Sequence, residues 1–409
     1  MNQQSLLVFN SGLSRLVIAA LLAGLANVAG AEGGSQGQWD WSLRYRLEFV
    51  DDDGFIEDAE ASTLRARLGY LSPVRGGFSF RVQVEGVAHI GLDDFNDTRN
   101  GKTEFPTVAD PDGINLNEAY LAYGTDASRN RITAGRRAIN LDDQRFIGSV
   151  AWRQNEQTYD SLYWDFAATE TTTVSYGYVD SVRRIFGPDS GTPPRSLDSD
   201  SHLLHLSAKL PFGQLSAYGY WLEFDNAATL SNRTFGVRLG GTLWEREAAA
   251  LGYQVEFASQ SDYENNPNDY DANYYLAEID ASASAWSGTL GLAVLEGDES
   301  DTGQHGFITP LATLHKFQGF ADLFLNTPGF GVVDGYARVQ YKHPRFTAQV
   351  IYHDFEADLG SADLGTELDL VVTTSLGRWG SLLLKYANYD ADTFGNDREI
   401  VWLQYLIAD

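Results

Sequence analysis

Along most of the chain, apolar and polar residues alternate with a period of two in segments of about ten residues, as in extended strands with one oily and one wet face. From Trp41 to Val50 the odd positions Trp41, Leu43, Tyr45, Leu47 and Phe49 are apolar, while Ser42, Arg44, Arg46 and Glu48 are polar. The next segment sets Leu64, Ala66, Leu68 and Tyr70 against Thr63, Arg65, Arg67 and Gly69. The third sets Phe78, Phe80, Val82 and Val84 against Ser79, Arg81, Gln83 and Glu85. Further segments centre near residues 119, 133, 162, 176, 205, 219, 237, 253, 276, 291, 338, 350, 369, 385 and 403, which brings the number to 18.

The connections between these segments alternate in length. Short ones are predicted at 72–77, 124–130, 167–171, 211–214, 240–246, 281–285, 343–345 and 377–380. Longer, more acidic ones fall at 51–60, 91–113, 138–156, 183–200, 225–231, 259–269, 297–331, 356–362 and 390–397. This rhythm predicts an all-β fold, a transmembrane antiparallel up-and-down β-barrel of about 18 strands, with 16 as the alternative count. Short turns would face the periplasm and long loops the outside. A soluble sandwich or β-helix competes, but it would have to account for lipid-compatible aromatic faces on nearly every segment.

The start of the chain changes the picture in one respect. Residues 1–31 hold a single charged side chain, Arg15, then an apolar run from Leu16 to Val28 and a small-residue site, Ala29-Gly30-Ala31. They read as a signal peptide, being too short in apolar length for a spanning helix. Residues 32–409 are then one barrel domain, and the expected location is the outer membrane of a Gram-negative bacterium. The leader contains one basic and no acidic residue, so the mature 378 residues carry 28 basic against 56 acidic side chains, a charge of −28. Such a surface repels nucleic acid. Aromatics make up 13 % of the chain, mean hydropathy is −0.27, and no cysteine is present. A closed ladder with no unpaired edge supplies the stability that disulfides would give a small secreted domain. Expected partners are outer-membrane lipid and lipopolysaccharide, the barrel-assembly machinery and an anionic saccharide solute.

The parity that sends Leu43, Leu64 and Phe80 to lipid sends Arg44, Arg46, Arg65, Arg67 and Arg81 inward, joined by Arg131 and, from later strands, Arg338 and Lys385. These eight are the candidate basic lining of a pore, since arginine binds carboxylates bidentately and pores select by such rings. Pairing with inward Glu48, Glu85 and Glu118 is the plainer alternative.

Two connections are too rich in charge and aromatics to be solvated tips. The segment 135–156 is expected to fold back into the lumen, with Arg136, Arg137, Arg145, Trp152 and Arg153 as constriction candidates. There Arg145 and Arg153 would meet solute while Asp142 and Asp143 hold the loop on wall arginines. The connection 297–331 is expected to pack as a second constriction or lid, presenting His315 and Lys316. Plugging and bracing is the bland reading of both.

The run Leu141-Asp142-Asp143-Gln144-Arg145-Phe146, then Trp152-Arg153-Gln154-Asn155, and later Leu314-His315-Lys316-Phe317-Gln318-Gly319-Phe320-Ala321-Asp322, resembles the alginate export porin family. The resemblance implies an 18-stranded outer-membrane barrel whose electropositive constriction passes a polyuronate or related anion.

No His-Glu-x-x-His occurs, and no phosphate-binding glycine loop is present. His202 and His205, three apart on one predicted strand, point to opposite faces and cannot share a metal. No enzyme, cofactor or metal is therefore expected. Three functions remain: selective passage of acidic sugars by passive diffusion, a weakly selective nutrient-uptake porin, and a structural or adhesin barrel without conductance.

Overall fold

The computed structural model describes residues 37–125 and 128–409; the expected leader, residues 1–31, lies outside them. The described chain forms β1 (Gln38–Asp52), β2 (Ala59–Leu71), β3 (Phe78–Asp94), β4 (Gly113–Tyr123), β5 (Asn130–Arg137), β6 (Thr158–Ala167), β7 (Thr172–Arg183), β8 (Ser196–Leu210), β9 (Gly213–Leu222) and β10 (Asn232–Arg246). It continues with β11 (Ala249–Asp262), β12 (Asp271–Ala283), β13 (Trp286–Ser300), β14 (Gly303–Gly306), β15 (Gly331–Lys342), β16 (Phe346–Glu356), β17 (Asp363–Ser375), β18 (Ser381–Ala391) and β19 (Arg398–Ala408).

Barrel strands pair antiparallel with their neighbours in sequence, and β1 closes on β19 from Ser42↔Ala408 to Asp52↔Arg398. The short β14 pairs only with the outer end of β13, while β13 itself pairs with β15. The closed wall therefore has 18 strands, and each predicted segment lies in one of them. Closure matters energetically, because an unpaired backbone N–H or C=O in hydrocarbon costs several kcal/mol.

Period-two alternation appears directly as burial. On β3, Phe80 and Val82 are exposed while Ser79 and Gln83 are buried; on β13, Leu290 and Leu292 are exposed while Thr289 and Ala293 are buried. This outward apolar surface is the membrane-facing belt. At its short-turn end aromatic side chains gather: Trp39 lies 4.8 Å from Tyr70, Phe78 4.8 Å from Tyr123, and Trp286 4.6 Å from Tyr341, centroid to centroid. Such amphipathic rings suit the interface between hydrocarbon and headgroups.

One predicted turn is misplaced. Residues 240–246 belong to β10, which bulges between Thr242 and Trp244 and turns only at 247–248. The Gly240-Gly241 pair serves a close approach instead of a reversal: a Cβ on Gly241 would run into the Phe212 carbonyl of the preceding hairpin. The expected connections at 91–113 and 297–331 also start late, because β3 continues to Asp94 and β13 to Ser300.

Candidate functional site: the lumen and its folded-in loops

Strand β5 stops at Arg137, and the chain then turns into the barrel rather than away from it. Its loop, residues 138–157, is held by the basic wall. Arg44 donates from Nε to Gln154 at 2.8 Å and from Nη1 to the Ala151 carbonyl at 2.8 Å, and it also reaches the Arg153 carbonyl. Arg46 donates to the Trp152 carbonyl at 2.6 Å, with its guanidinium 4.0 Å above the Trp152 ring. Gln154 adds bonds to Thr63 and Asp110. A guanidinium has five donors and no acceptor, so loop carbonyls satisfy it well.

The wall arginines therefore face inward but do not line open water. Arg44, Arg46 and Arg65 are buried. Arg67 is clamped by Glu85 at 2.5 Å and Glu156 at 3.0 Å, and Arg81 by Asp40 at 2.6 Å and by Glu118. Arg131 also faces inward on β5, beside buried Thr133.

Residues 307–330 form the second inward loop, and the two loops meet at a parallel bridge, Ile147↔Leu311. Gly148 N–H donates to the Leu311 carbonyl at 2.9 Å, and Thr313 N–H to the Gln144 carbonyl at 3.0 Å. Around this seam Phe146 packs against Tyr218, Tyr274 and Phe307. Arg145, expected to meet solute, is instead buried: it donates to Gln318 at 2.7 Å and lies over the rings of Tyr274 and Phe317. Arg153 is buried too, between Glu48 at 3.2 Å and Asp322 at 3.3 Å.

Beside it, against β18 and β19, His315 is locked in place. Its Nδ1 lies 2.8 Å from Asp322, its Nε2 is 2.6 Å from Lys385 Nζ, and Trp152 stacks on its ring at 4.5 Å. Lys385 Nζ sits 3.0 Å from the Phe320 ring centroid. Lys385, Trp152 and His315 are thus loop anchors and not pore lining. Burial pushes the His315 imidazole down to about 3, a shift that Asp322 opposes and Lys385 reinforces. Burial alone would raise the Asp322 carboxyl, but His315 and Arg153 hold it below the usual range. Backbone N–H groups of Ala321 and Phe320 donate to Glu367 at 2.7 Å and to Asp369 at 3.2 Å.

What the loops leave open is a passage along the β10–β16 side. A cavity of about 300 Å³ is bounded by Lys316, Arg238 and Arg338, by Asp143, Glu278 and Asp334, and by Tyr336 and Phe320. Asp143, Arg238 and Gln254 also border a second cavity of about 420 Å³ that reaches Gln214 and Gly240 near the short turns. At the shared point Arg238 bonds Asp143 at 2.6 Å and Glu256 at 3.2 Å, while Lys316 Nζ donates to the Asp143 carbonyl at 2.7 Å. Arg338 donates to Thr289 at 2.8 Å, and Tyr336 to Glu278 at 2.6 Å.

Of the sequence candidates, Lys316, Arg338 and Asp143 border this passage, Asp143 on a wall arginine as expected. Asp142 instead bonds His205 at 2.9 Å and Ser216 at 2.6 Å. His205 faces in, whereas His202 faces out to the Tyr176 hydroxyl. Arg137 lies over Tyr163, and Arg136 leaves the lumen for Asp160, at 2.7 Å through both Nε and Nη2. Sequence reasoning missed Arg238, Glu278 and Asp334. Parity would have found Arg238, because flanking Phe235 and Val237 put residue 238 inward. Among the described residues no group of three or more His, Asp or Glu side chains is placed to hold a metal ion.

A closed 18-stranded wall, an apolar outer belt with an aromatic girdle and a polar interior narrowed by inward loops define an outer-membrane β-barrel of the porin type. The model of the alginate export family matches residues 38–174, about a third of the chain, a span that includes the 141–155 segment but not 314–322. No curated protein sequence matches. Among solved structures, OccAB4 of Acinetobacter baumannii superposes with a TM-score of 0.69 at 16 % identity, covering 91 % of this chain and 98 % of that one. OpdK of Pseudomonas aeruginosa, solved with vanillate, gives 0.67 at 13 %, covering 92 % and 100 %. OpdQ of the same species gives 0.65 at 16 %, covering 91 % and 98 %. At these identities the likeness is one of fold.

Proposed function

We propose that this protein is a channel in the outer membrane of a Gram-negative bacterium that passes anionic solutes, acidic oligo- or polysaccharides above all, by passive diffusion. The observation that carries the reading is the set of three cations, Lys316, Arg238 and Arg338, bordering a lumenal stretch that both loops leave open. Weak, multiple contacts of this kind let a carboxylate enter and leave again. Two further facts support it: the family model matched over 38–174 is that of alginate export, and vanillate, held by a barrel of the same fold, is a carboxylate. In this reading the protein acts as a conduit.

A planar-bilayer measurement of reversal potential across a salt gradient tests the proposal. Anion preference is expected, reduced or inverted in Lys316→Gln/Arg338→Gln, together with block of current by uronate oligomers. Cation preference in the wild type, with no block, overturns it. Asp143, Glu278 and Asp334 on the same passage favour one second reading, a weakly selective uptake porin. Liposome swelling at equal rates with neutral and acidic sugars of matched size would establish that reading instead.

A further inference from the structure

Three arginines without a carboxylate partner gather at one place in the wall. Arg183 ends β7, and Arg184 and Arg195 belong to the 184–195 loop. Among the described residues none of the three forms an ion pair within 4.0 Å. The Arg183 Nε is buried without a hydrogen-bond partner, and the Arg184 guanidinium lies over Phe186, 4.6 Å from its centroid. Burial and the neighbouring Arg99 hold the Arg184 guanidinium down to about 10. Arg195 donates to the Pro188 carbonyl.

The wall itself has a notch here. β5 pairs with β4 only from Ala119↔Arg136 to Tyr123↔Ile132, so residues 113–118 of β4 rise beyond the end of their neighbour. Arg136 covers part of this bare edge by donating to the Leu116 carbonyl at 3.2 Å. The 184–195 loop roofs the notch, with Pro188 against Gly113 and Gly187 against Pro111. A cavity of about 200 Å³ remains beneath, bordered by all four arginines and by the outward residue Leu116. The carboxylates that also border it are engaged elsewhere: Glu85 and Glu156 by Arg67, and Glu156 also by Asn117.

We propose that this notch is a binding site for a phosphate monoester, with Arg183, Arg184 and Arg195 supplying the charge-assisted hydrogen bonds. Guanidinium forks fit phosphate oxygens bidentately, and unpaired arginines on a partly apolar wall gain most from a dianion. The notch lies at the long-loop end of the barrel and Leu116 faces lipid, so the phosphorylated headgroup of an outer-leaflet lipid can reach it. A soluble phosphorylated sugar presents the same chemistry.

Isothermal titration of the full-length barrel in phosphate-free detergent, with inorganic phosphate and separately with phosphatidic acid, distinguishes these sources. The wild type should bind both probes at least about tenfold more tightly than Arg183→Gln/Arg184→Gln, from the loss of two charge-assisted contacts. Tighter binding of phosphatidic acid than of inorganic phosphate assigns the site to the leaflet, and equal binding assigns it to soluble solutes. Phosphatidylcholine should not bind. Equal affinity of wild type and variant, or equal uptake of phosphatidylcholine, overturns the site. Should the double variant fail to fold, Arg195→Gln on the exposed loop gives the same comparison. Lumenal conductance should be unchanged in these variants, so the outcome is independent of the transport reading.

Discussion

Arg153 is where the buried charge of the lumen converges. It reaches Glu48, Asp322 and, at 3.9 Å, Asp110. Removing one member of a buried ion network strands the others, at about 3–5 kcal/mol. Arg153→Met should therefore lower the denaturant midpoint in detergent and expose the 138–157 loop to protease, whereas Arg153→Met/Glu48→Leu should recover part of the loss. A single variant as stable as the wild type would show that water solvates this network. At this scale the sequence told direction but not destination. Parity placed Arg44, Arg46 and Arg65 inward, because side-chain facing is a local property of a strand. That Arg44 would spend its donors on residues 107 to 110 positions away could not be read, since such contacts depend on a loop's path through space. The same gap explains why Arg145 looked solute-facing: its charge was visible, but the Tyr274 and Phe317 rings beside it were not.

The inward loops are elements without regular structure, so single backbone positions and single pairs hold them. Gly319 has φ +78° and lies against the Glu367 carboxylate, where a Cβ would collide. Gly319→Ala should cost at least about 1 kcal/mol in loop docking, read as faster proteolysis within 307–330 while the barrel stays folded. The His315 lock makes docking depend on pH. Its imidazole titrates near 3 when docked and near 6.5 when released, so between these values the released loop binds the extra proton. Docking is therefore fully favoured above about 6.5 and weakens as pH falls toward 3. Asp322, held below its usual value, acts in the same direction. Current fluctuations in single-channel records should increase from pH 7.5 to pH 4, and His315→Phe should flatten that dependence. The inward fate of both loops was legible in their mixture of charge and aromatics, which suits a buried polar environment better than a solvated tip. The turn expected at 240–246 was not, because a glycine pair looks the same whether it reverses the chain or admits a neighbouring backbone.

Across the whole molecule, the barrel was almost fully legible, since a strand between lipid and water repeats its two-residue alternation wherever it occurs, and each segment reports independently. The outward face gives a depth-dependent expectation. Leu292, well inside the belt, should cost about 2–4 kcal/mol when replaced by Arg, against about 0–1 for Trp286→Arg at the girdle, measured by reversible unfolding in lipid vesicles. Equal costs would mean that the belt is misplaced along the barrel axis. One feature also bears on how the channel changes state. Backbone hydrogen bonds from Gly148 to Leu311 and from Thr313 to Gln144 tie the two loops, so neither can swing out without dragging the other. Gating should then be concerted, with current records stepping between two levels instead of through a ladder of sub-states.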